Sequence, residues 1–261
     1  MKKNINGITC NYEISGSGPW VTLSHSLACD LGMWDGLAEE LARHFSVLRY
    51  DTRGHGLSSA PVGAYTLSEL ATDLAGLFQA LNIHKSHFIG LSMGGMIGQT
   101  FAIAYPGILK TLVLADTTSR RPENALEMWA ERVKNARNEG MEALVESTLA
   151  RWFTEPFRNA QPLEMDRIGN MIRNTPVDGF AGCCNAISRI DVLDQLNQIE
   201  CPALVMVGEH DHATTPWMAQ QMQAALRDAE LIIIPSAAHL SNVEQPYFFN
   251  QAVLKFLKQY S

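Results

Sequence analysis

The sequence predicts an α/β fold in which a mostly parallel sheet is flanked by helices and carries one helical insertion. Short apolar, β-branched runs alternate with amphipathic segments, and most of these runs end at Gly, Asp or Ser. The alternation stops once, between about residues 120 and 189. Strands that are buried on both faces of a parallel sheet have this continuous apolar character, and right-handed helical crossovers connect them.

Six runs are too short to be helices and are predicted to be strands. They cover residues 20–23, 47–50, 87–89, 111–114, 203–207 and 231–234. Helical periodicity covers residues 33–44, 67–81, 93–105, 216–226 and 246–260. The clearest of these helices begins at the capping box formed by Thr66 and Glu69, and its apolar residues form one stripe.

The segment 120–189 has helical composition but no convincing strand, so we predict a cap there and a core made of residues 1–119 and 190–261. A helical insertion after a strand forms a lid over the carboxyl edge of the sheet, where α/β folds bind ligands. The segment is rich in methionine and also contains Trp129, Trp152 and Phe153. For any single one of these side chains, core packing is the simpler interpretation, and lining of a pocket is the alternative.

The chain has 261 residues, 46% of them hydrophobic, and 20 basic and 27 acidic side chains give a formal net charge of -7. This composition is typical of a globular protein, and it argues against disorder and against nucleic acid as a partner. No apolar run approaches the roughly 18 residues that span a bilayer. The five cysteines suggest neither a disulfide framework nor a metal site. We expect a cytoplasmic protein without membrane contact, and the sequence leaves open whether it is a monomer or a homodimer.

The strongest motif is Gly-Leu-Ser-Met-Gly at residues 90–94, which matches the G-x-S-x-G pattern of a nucleophile elbow. It lies directly between a predicted strand and a predicted helix. The two glycines permit the sharp turn that presents the serine hydroxyl above the sheet. Because a serine hydroxyl is a poor nucleophile without a base, Ser92 is predicted to act together with a histidine. A merely structural turn is the alternative.

The acid and the base are expected after the serine, in that order, on loops that follow later strands. Asp211 follows the strand at 203–207, and His239 follows the strand at 231–234. In this arrangement His239 takes the proton of Ser92 and later gives it to the leaving group, while Asp211 fixes the imidazole tautomer and stabilises the imidazolium.

Other residues compete for these roles. Asp116 follows the strand at 111–114 and could orient the histidine from the other side, and Glu209 is a weaker rival. Further loop histidines are His55, His210 and His212. The sequence His-Asp-His at 210–212 is also compatible with a fragment of a metal site, but no further histidines follow at ligand spacing, so neither a metal nor a cofactor is predicted.

A tetrahedral intermediate needs hydrogen-bond donors for its oxyanion. The backbone N–H of Met93, directly after the nucleophile, is predicted to be one donor, and the N–H of Leu27, after the strand at 20–23, the other. His25 is expected to hold that loop by a hydrogen bond, with proton transfer as the alternative.

Five ordered blocks resemble a known superfamily. They are Ser-His-Ser-Leu at 24–27, Asp-Thr-Arg-Gly-His-Gly at 51–56, Gly-Leu-Ser-Met-Gly-Gly at 90–95, Gly-Glu-His-Asp at 208–211 and the segment 238–246. Together they resemble the α/β-hydrolase superfamily across nearly the whole chain. The His-Ser-Leu loop, the run 48–56 and Arg-Trp-Phe-Thr at 151–154 look like the 3-oxoadipate enol-lactonase branch.

The resemblance implies an eight-stranded, mostly parallel sheet with a helical cap and cofactor-free hydrolysis of a lactone. It also implies that residues 51–56 form a scaffold turn in which Arg53 and His55 satisfy backbone groups. The expected partner is a small lactone or ester.

Substrate choice is expected to depend on the cap, because a 3-oxoadipate enol-lactone carries a carboxylate that a guanidinium can bind. The cap arginines are Arg132, Arg137, Arg151, Arg173 and Arg189. By resemblance we favour Arg132 for the carboxylate and Trp152, with Phe153, for the pocket wall; solvated or packing roles are the alternatives. If no cap arginine points inward, an N-acyl-homoserine lactone or a simple ester fits better. A non-catalytic ligand-binding receptor is a further alternative.

Overall fold

In a computed structural model, which describes all 261 residues, the centre of the protein is one eight-stranded sheet with the order β1-β2-β4-β3-β5-β6-β7-β8. The strands are β1 (Lys2–Ile5), β2 (Ile8–Ser15), β3 (Trp20–Ser24), β4 (Ser46–Tyr50), β5 (Ser86–Leu91), β6 (Leu109–Ala115), β7 (Ala203–Gly208) and β8 (Ala229–Ile234). β1 pairs antiparallel with β2, and β2 pairs antiparallel with β4. Every other pair is parallel.

The fold class predicted from the sequence is confirmed, and each of the six predicted strands is present with one or both ends extended. The pattern alone did not indicate β1 and β2, which were expected only from the resemblance. They form an antiparallel hairpin at the sheet edge, where Lys2, Lys3 and Asn4 are exposed. A strand with so many exposed polar residues has no continuous apolar run to mark it.

The helices are α1 (Asp35–Leu41), α2 (Leu67–Ala80), α3 (Met93–Ala104), α4 (Ala125–Glu139), α5 (Val145–Trp152), α6 (Glu155–Ala160), α7 (Pro162–Asn174), α8 (Val177–Ile187), α9 (Pro216–Ala225), α10 (Ser241–Glu244) and α11 (Pro246–Gln259). The Thr66 hydroxyl caps α2 by accepting a hydrogen bond from the N–H of Glu69 at 3.0 Å. No helix combines the length and the apolar composition that a membrane span requires.

The helices α4 to α8 are inserted between β6 and β7, and the insertion contains no strand. The two chain segments at its base are hydrogen-bonded to each other. The N–H of Arg121 donates to the carbonyl of Ile190 at 2.9 Å, and the N–H of Val192 donates to the carbonyl of Ser119 at 2.8 Å. We propose residues 120–189 as the cap, because both of its ends lie at this short ladder.

Two buried histidines join the loop after β3 to the loop after β4. The Nε2 atom of His25 accepts a hydrogen bond from the N–H of Thr52, and the Nε2 atom of His55 accepts one from the N–H of Ala28, each at 2.9 Å. Burial lowers the pKa of His25 and lowers that of His55 to about 3, so both rings are neutral and can accept these bonds. His25 therefore supports the loop that contains Leu27.

The segment 51–56 is held by buried charges. Both carboxylate oxygens of Asp51 accept backbone N–H groups at 2.8 Å, from Leu31 and Leu57. The Arg53 guanidinium makes a two-pronged ion pair with Asp73 of α2 at 2.7 and 2.9 Å. These contacts fit a scaffold turn rather than a reacting group, but Arg53 pairs with carboxylates and not with the backbone groups that the resemblance implied.

The insertion touches the core where two glycine backbones meet. A Cβ atom on Gly179 of α8 would lie 2.0 Å from the carbonyl oxygen of Gly54, and a Cβ on Gly54 would lie 2.6 Å from the Cα of Gly179. Because both obstructing atoms belong to the backbone, no side chain at either position can be accommodated without moving α8 away from the loop.

We expect Gly179→Ala to destabilise the protein by about 1–3 kcal/mol, the usual cost of overpacking. The midpoint of chemical denaturation measures this loss. The matched control is Gly36→Ala, also in a helix but exposed and with no atom within 4 Å of the new Cβ. The control should be neutral or more stable, since alanine is the better helix former by about 1 kcal/mol. Equal midpoints for the two variants would contradict the close contact.

Candidate active site

Ser92 lies in a strained turn between β5 and α3, with φ 54° and ψ -113°. The two flanking glycines are required by close approaches of the backbone. A Cβ on Gly90 would lie 2.3 Å from the carbonyl oxygen of Gly94, and a Cβ on Gly94 would lie 2.1 Å from that of Ser24. Positive φ at a residue other than glycine costs free energy and is frequent at functional sites. The sequence motif thus folds into the sharp turn that it predicts.

A continuous chain of hydrogen bonds connects three residues from separate loops. The Nε2 atom of His239 lies 2.9 Å from Oγ of Ser92, and its Nδ1 atom lies 2.8 Å from Oδ2 of Asp211. Asp211 and His239 are buried. The structure therefore brings together the three residues that the sequence singled out, at distances that permit proton transfer from serine to imidazole.

Further donors fix the carboxylate of Asp211. Its Oδ1 atom accepts the N–H groups of Ala213 and Thr214 at 2.7 and 2.9 Å, and its Oδ2 atom accepts the Thr214 hydroxyl at 2.7 Å. The sequence reasoning did not identify Thr214. Its position three residues after the aspartate, on a loop, is the signal that could have indicated it, because Asp side chains commonly accept backbone N–H groups a few residues on.

The electrostatics of the pair favour an ionised acid beside a basic imidazole. Burial opposes the charge of Asp211, but the charge and hydrogen bond of His239, with the Thr214 bonds, hold the pKa of Asp211 below its usual value. Burial likewise lowers the pKa of His239, but the charge and hydrogen bond of Asp211 outweigh it, with a smaller contribution from Asp116. The net effect raises the pKa of His239 above 6.5.

The rival residues occupy other positions. Asp116 makes no hydrogen bond to His239, since its carboxylate is bound to Gly208 and Ser241. Glu209 is exposed and accepts the N–H of Ser236 at 3.2 Å. His210 and His212 are exposed, and no group of three or more potential ligands is placed to hold a metal ion. Among these acids, only Asp211 contacts the imidazole.

The two predicted oxyanion donors come from the loop after β3 and from the residue that follows Ser92. The N–H of Leu27 has no hydrogen-bond acceptor within the chain, and Leu27 lines the same cavity as Ser92. Met93 is the first residue of α3, so its N–H has no partner within the helix. The helix N-terminus adds a partial positive charge at this point.

A mostly apolar cavity covers Ser92. The arginines of its lining are Arg121, Arg132 and Arg151, and the lining contains no acidic residue.

The Arg132 guanidinium lies over the Trp129 ring, with 5.6 Å between the Cζ atom and the ring centroid. Its Nη2 atom donates to the Thr148 hydroxyl at 2.8 Å, and its Nε atom is buried with no partner. Burial, followed by the nearby Arg151, lowers the pKa of Arg132. The cavity therefore contains a desolvated cation without a counter-ion.

The two aromatic residues proposed for the pocket wall separate at the end of α5. Trp152 lines the cavity, and its ring centroid lies 6.2 Å from that of His239. Phe153 does not line the cavity; it is buried beside an adjoining groove and stacks on Phe157 at 5.4 Å. Phe153 has extended backbone angles directly after Trp152, the last residue of α5. The structure thus places Trp152, but not Phe153, in the lining of the cavity over Ser92.

Comparisons with known proteins agree with the fold. Residues 19–246 match the family model described as alpha/beta hydrolase fold. The chain is 34% identical over 256 residues to 3-oxoadipate enol-lactonase 2 of Acinetobacter baylyi, covering 97% of this chain and 95% of that protein.

Two solved structures are similar over almost the full chain. The enol-lactonase of Burkholderia xenovorans LB400 has a TM-score of 0.95 and 37% identity, covering 99% of this chain and 100% of that one. A thermophilic esterase of Thermogutta terrifontis, with malate bound, has a TM-score of 0.96 and 31% identity, covering 100% of both chains. With the family model matched over most of its length and enol-lactonases among its relatives, the chain belongs to the α/β-hydrolase family.

Proposed function

We propose that this protein is a serine hydrolase that opens a small lactone bearing a carboxylate, most similar in activity to a 3-oxoadipate enol-lactonase. The observation that carries the proposal is the hydrogen-bonded chain of Ser92, His239 and Asp211 beside a cavity that is also lined by the guanidinium of Arg132, which has no counter-ion. Similarity to enol-lactonases over almost the whole chain supports the same substrate class.

In the first half of the reaction, His239 takes the hydroxyl proton as Ser92 Oγ attacks the lactone carbonyl. The backbone N–H groups of Leu27 and Met93 stabilise the oxyanion that forms. Collapse of the intermediate breaks the ring C–O bond and leaves an acyl-enzyme, and His239 returns its proton to the departing enol oxygen. The enol then becomes a ketone by tautomerisation.

In the second half, water replaces the enol as the reacting group. His239 takes a proton from the water as its oxygen attacks the acyl carbon, and the same two N–H groups stabilise the second oxyanion. His239 then protonates Ser92 Oγ, and the product leaves as a dicarboxylate. Ionised Asp211 stabilises the imidazolium in both halves.

The substrate carboxylate is the counter-ion that the cavity lacks. A guanidinium and a carboxylate pair strongly where water is excluded, and the pairing fixes which carbonyl faces Ser92. We assign this role to Arg132, with Trp152 as the wall that orients the ring. A neutral ester or N-acyl-homoserine lactone is the second candidate substrate, favoured by apolar lining residues such as Met96, Met128 and Met141.

Ser92→Ala should lower kcat for enol-lactone hydrolysis by at least about 10⁴-fold with little change in substrate binding, because the nucleophile acts in the transition state. A discontinuous assay of lactone ring opening measures kcat. Equilibrium binding of the substrate to the inactive variant measures the affinity. Ser147→Ala, an exposed serine on α5, serves as the matched control and should retain full activity. Residual turnover near the wild-type level in Ser92→Ala would rule out a serine nucleophile.

The pH profile of kcat/KM should show an acid limb. His239 must be neutral to accept the serine proton, and its pKa lies above 6.5, so activity rises with pH and the limb has its midpoint above 6.5. In Asp211→Asn the charge that raises this pKa is gone, so the limb should move to lower pH while kcat falls by about 10⁴-fold. A wild-type rate that is flat between about pH 5 and 8 would contradict histidine as the base.

Arg132→Gln should lower kcat/KM for the carboxylate-bearing enol-lactone by about 10- to 100-fold, since a hydrogen bond to a charged group contributes about 1.5–3 kcal/mol. Hydrolysis of neutral p-nitrophenyl butyrate should change far less. The matched control is Arg137→Gln, on the same helix but exposed and outside the cavity lining. Equal losses on the anionic and neutral substrates would assign Arg132 to packing, and the neutral-substrate alternative would then be preferred.

A further inference from the structure

Asp116 is a wholly buried carboxyl group directly behind the candidate triad. It follows the last residue of β6 and has a φ of 45°, a left-handed conformation that Asp and Asn tolerate better than most residues. The hydrolytic mechanism described above assigns it no step. A buried carboxyl group in strained backbone, beside reacting residues, requires a physical explanation.

The Asp116 carboxylate binds residues that border the loops carrying the acid and the base, namely the last residue of β7 and the first residue of α10. Its Oδ1 atom accepts the N–H of Gly208 at 2.8 Å, three residues before Asp211. Its Oδ2 atom accepts the hydroxyl of Ser241 at 2.5 Å and the N–H of the same residue at 3.3 Å, two residues after His239. One side chain thus spans the two loops whose relative position sets the Asp211–His239 hydrogen bond.

The same short segment also holds the nucleophile. The N–H of Ser92 donates to the carbonyl of Ala115 at 2.9 Å, and the Thr117 hydroxyl donates to the carbonyl of Ser92 at 2.7 Å. The segment 115–117 is therefore hydrogen-bonded to the nucleophile turn, to the acid loop and to the base loop. Within this segment, only Asp116 uses its side chain to bind the residues that border the acid loop and the base loop.

The acid and base loops also touch each other directly. The N–H of His210 donates to the carbonyl of Ala237 at 2.8 Å, and a Cβ on Gly208 would lie 2.1 Å from the carbonyl oxygen of Ala238. This direct contact holds the loops together without Asp116. Removal of the Asp116 side chain should therefore loosen the alignment of the site while leaving the fold intact.

Charge gives Asp116 a second effect. The charged groups that face Asp116 are Asp211 and His239. Burial and the repulsion of Asp211 raise the pKa of Asp116 to about 8, and the positive charge of His239 acts in the opposite direction. The groups that act on His239 are Asp211 and Asp116, which favour the imidazolium, and Arg151, which opposes it. Ionisation of Asp116 is therefore linked to protonation of His239, and the two titrate as a pair.

We propose that Asp116 is a positioning residue that fixes the acid and base loops to the nucleophile turn and adds a second negative charge behind the imidazole when the imidazolium forms. The inference rests on the proposed serine mechanism. It assigns a role to a residue that touches neither the substrate nor the reacting atoms.

Two substitutions separate the charge from the bonds. In Asp116→Asn the side-chain oxygen can still accept from Gly208 and the amide can donate to the Ser241 hydroxyl, while the charge is lost and left-handed backbone remains tolerated. Asp116→Gly removes the whole side chain without backbone strain. Ser241→Ala is the control that removes one of the hydrogen bonds and leaves the charge in place.

For Asp116→Asn we expect the acid limb of kcat/KM to move to lower pH by at least about half a unit, because a negative charge near the imidazolium is lost. Its kcat should fall about 10-fold with KM within about twofold of wild type, since the effect lies in the transition state. Asp116→Gly should lose more, about 100-fold in kcat, because positioning is lost as well. Ser241→Ala should show a smaller loss and an unmoved acid limb.

An acid limb for Asp116→Asn that coincides with that of wild type, or a wild-type kcat in this variant, overturns the proposal. If Asp116→Gly fails to fold, the comparison of Asp116→Asn with Ser241→Ala decides the matter. Ser92→Ala is assayed in parallel: retained hydrolysis there refutes the serine mechanism, whereas abolished hydrolysis together with wild-type behaviour of Asp116→Asn refutes only the role of Asp116.

Discussion

The arrangement of the site depends on one constraint: the buried imidazole of His239 needs a partner at each ring nitrogen. Ser92 lies at one nitrogen and Asp211 at the other. The three residues come from loops after β5, β7 and β8, so the constraint is met only if the parallel strands deliver their carboxyl ends to the same edge of the sheet. This alignment depends on the register of the sheet and on the glycines that allow the loops to touch. It also depends on buried side chains, such as Asp116, that hydrogen-bond to more than one of these segments.

The electrostatic design of the site divides charge by location. Asp211 places a negative charge at one ring nitrogen of the imidazole, and arginines line the cavity that contains Ser92. The first arrangement favours proton uptake by the histidine, and the second favours an anionic ligand over Ser92. A neutral cavity would leave the same hydrolytic chemistry with much less discrimination among substrates.

The sequence was most informative where chemistry restricts residue type and spacing. Ser92 between two glycines, followed by Asp211 and His239 after later strands, could be located because each position has few substitutes. β1 was not indicated because its exposed polar residues give no apolar run. The role of Asp116 depends on contacts with residues about 90 and 125 positions further along the chain, and no local pattern encodes such contacts. Phe153 lies beside an adjoining groove and not in the cavity over Ser92, and residue type alone does not determine which of the two neighbouring spaces a buried aromatic side chain lines.

The ladder at the base of the insertion has a consequence for changing specificity. The chain leaves β6 and returns towards β7 through two neighbouring, hydrogen-bonded backbone segments. The inserted helices are therefore covalently connected to the sheet at one place only. Exchanging these helices for those of a relative requires only that the new ends meet at the same separation. Such an exchange would change the substrate specificity and leave Ser92, Asp211 and His239 unchanged. The new helix would need a glycine where Gly179 contacts Gly54.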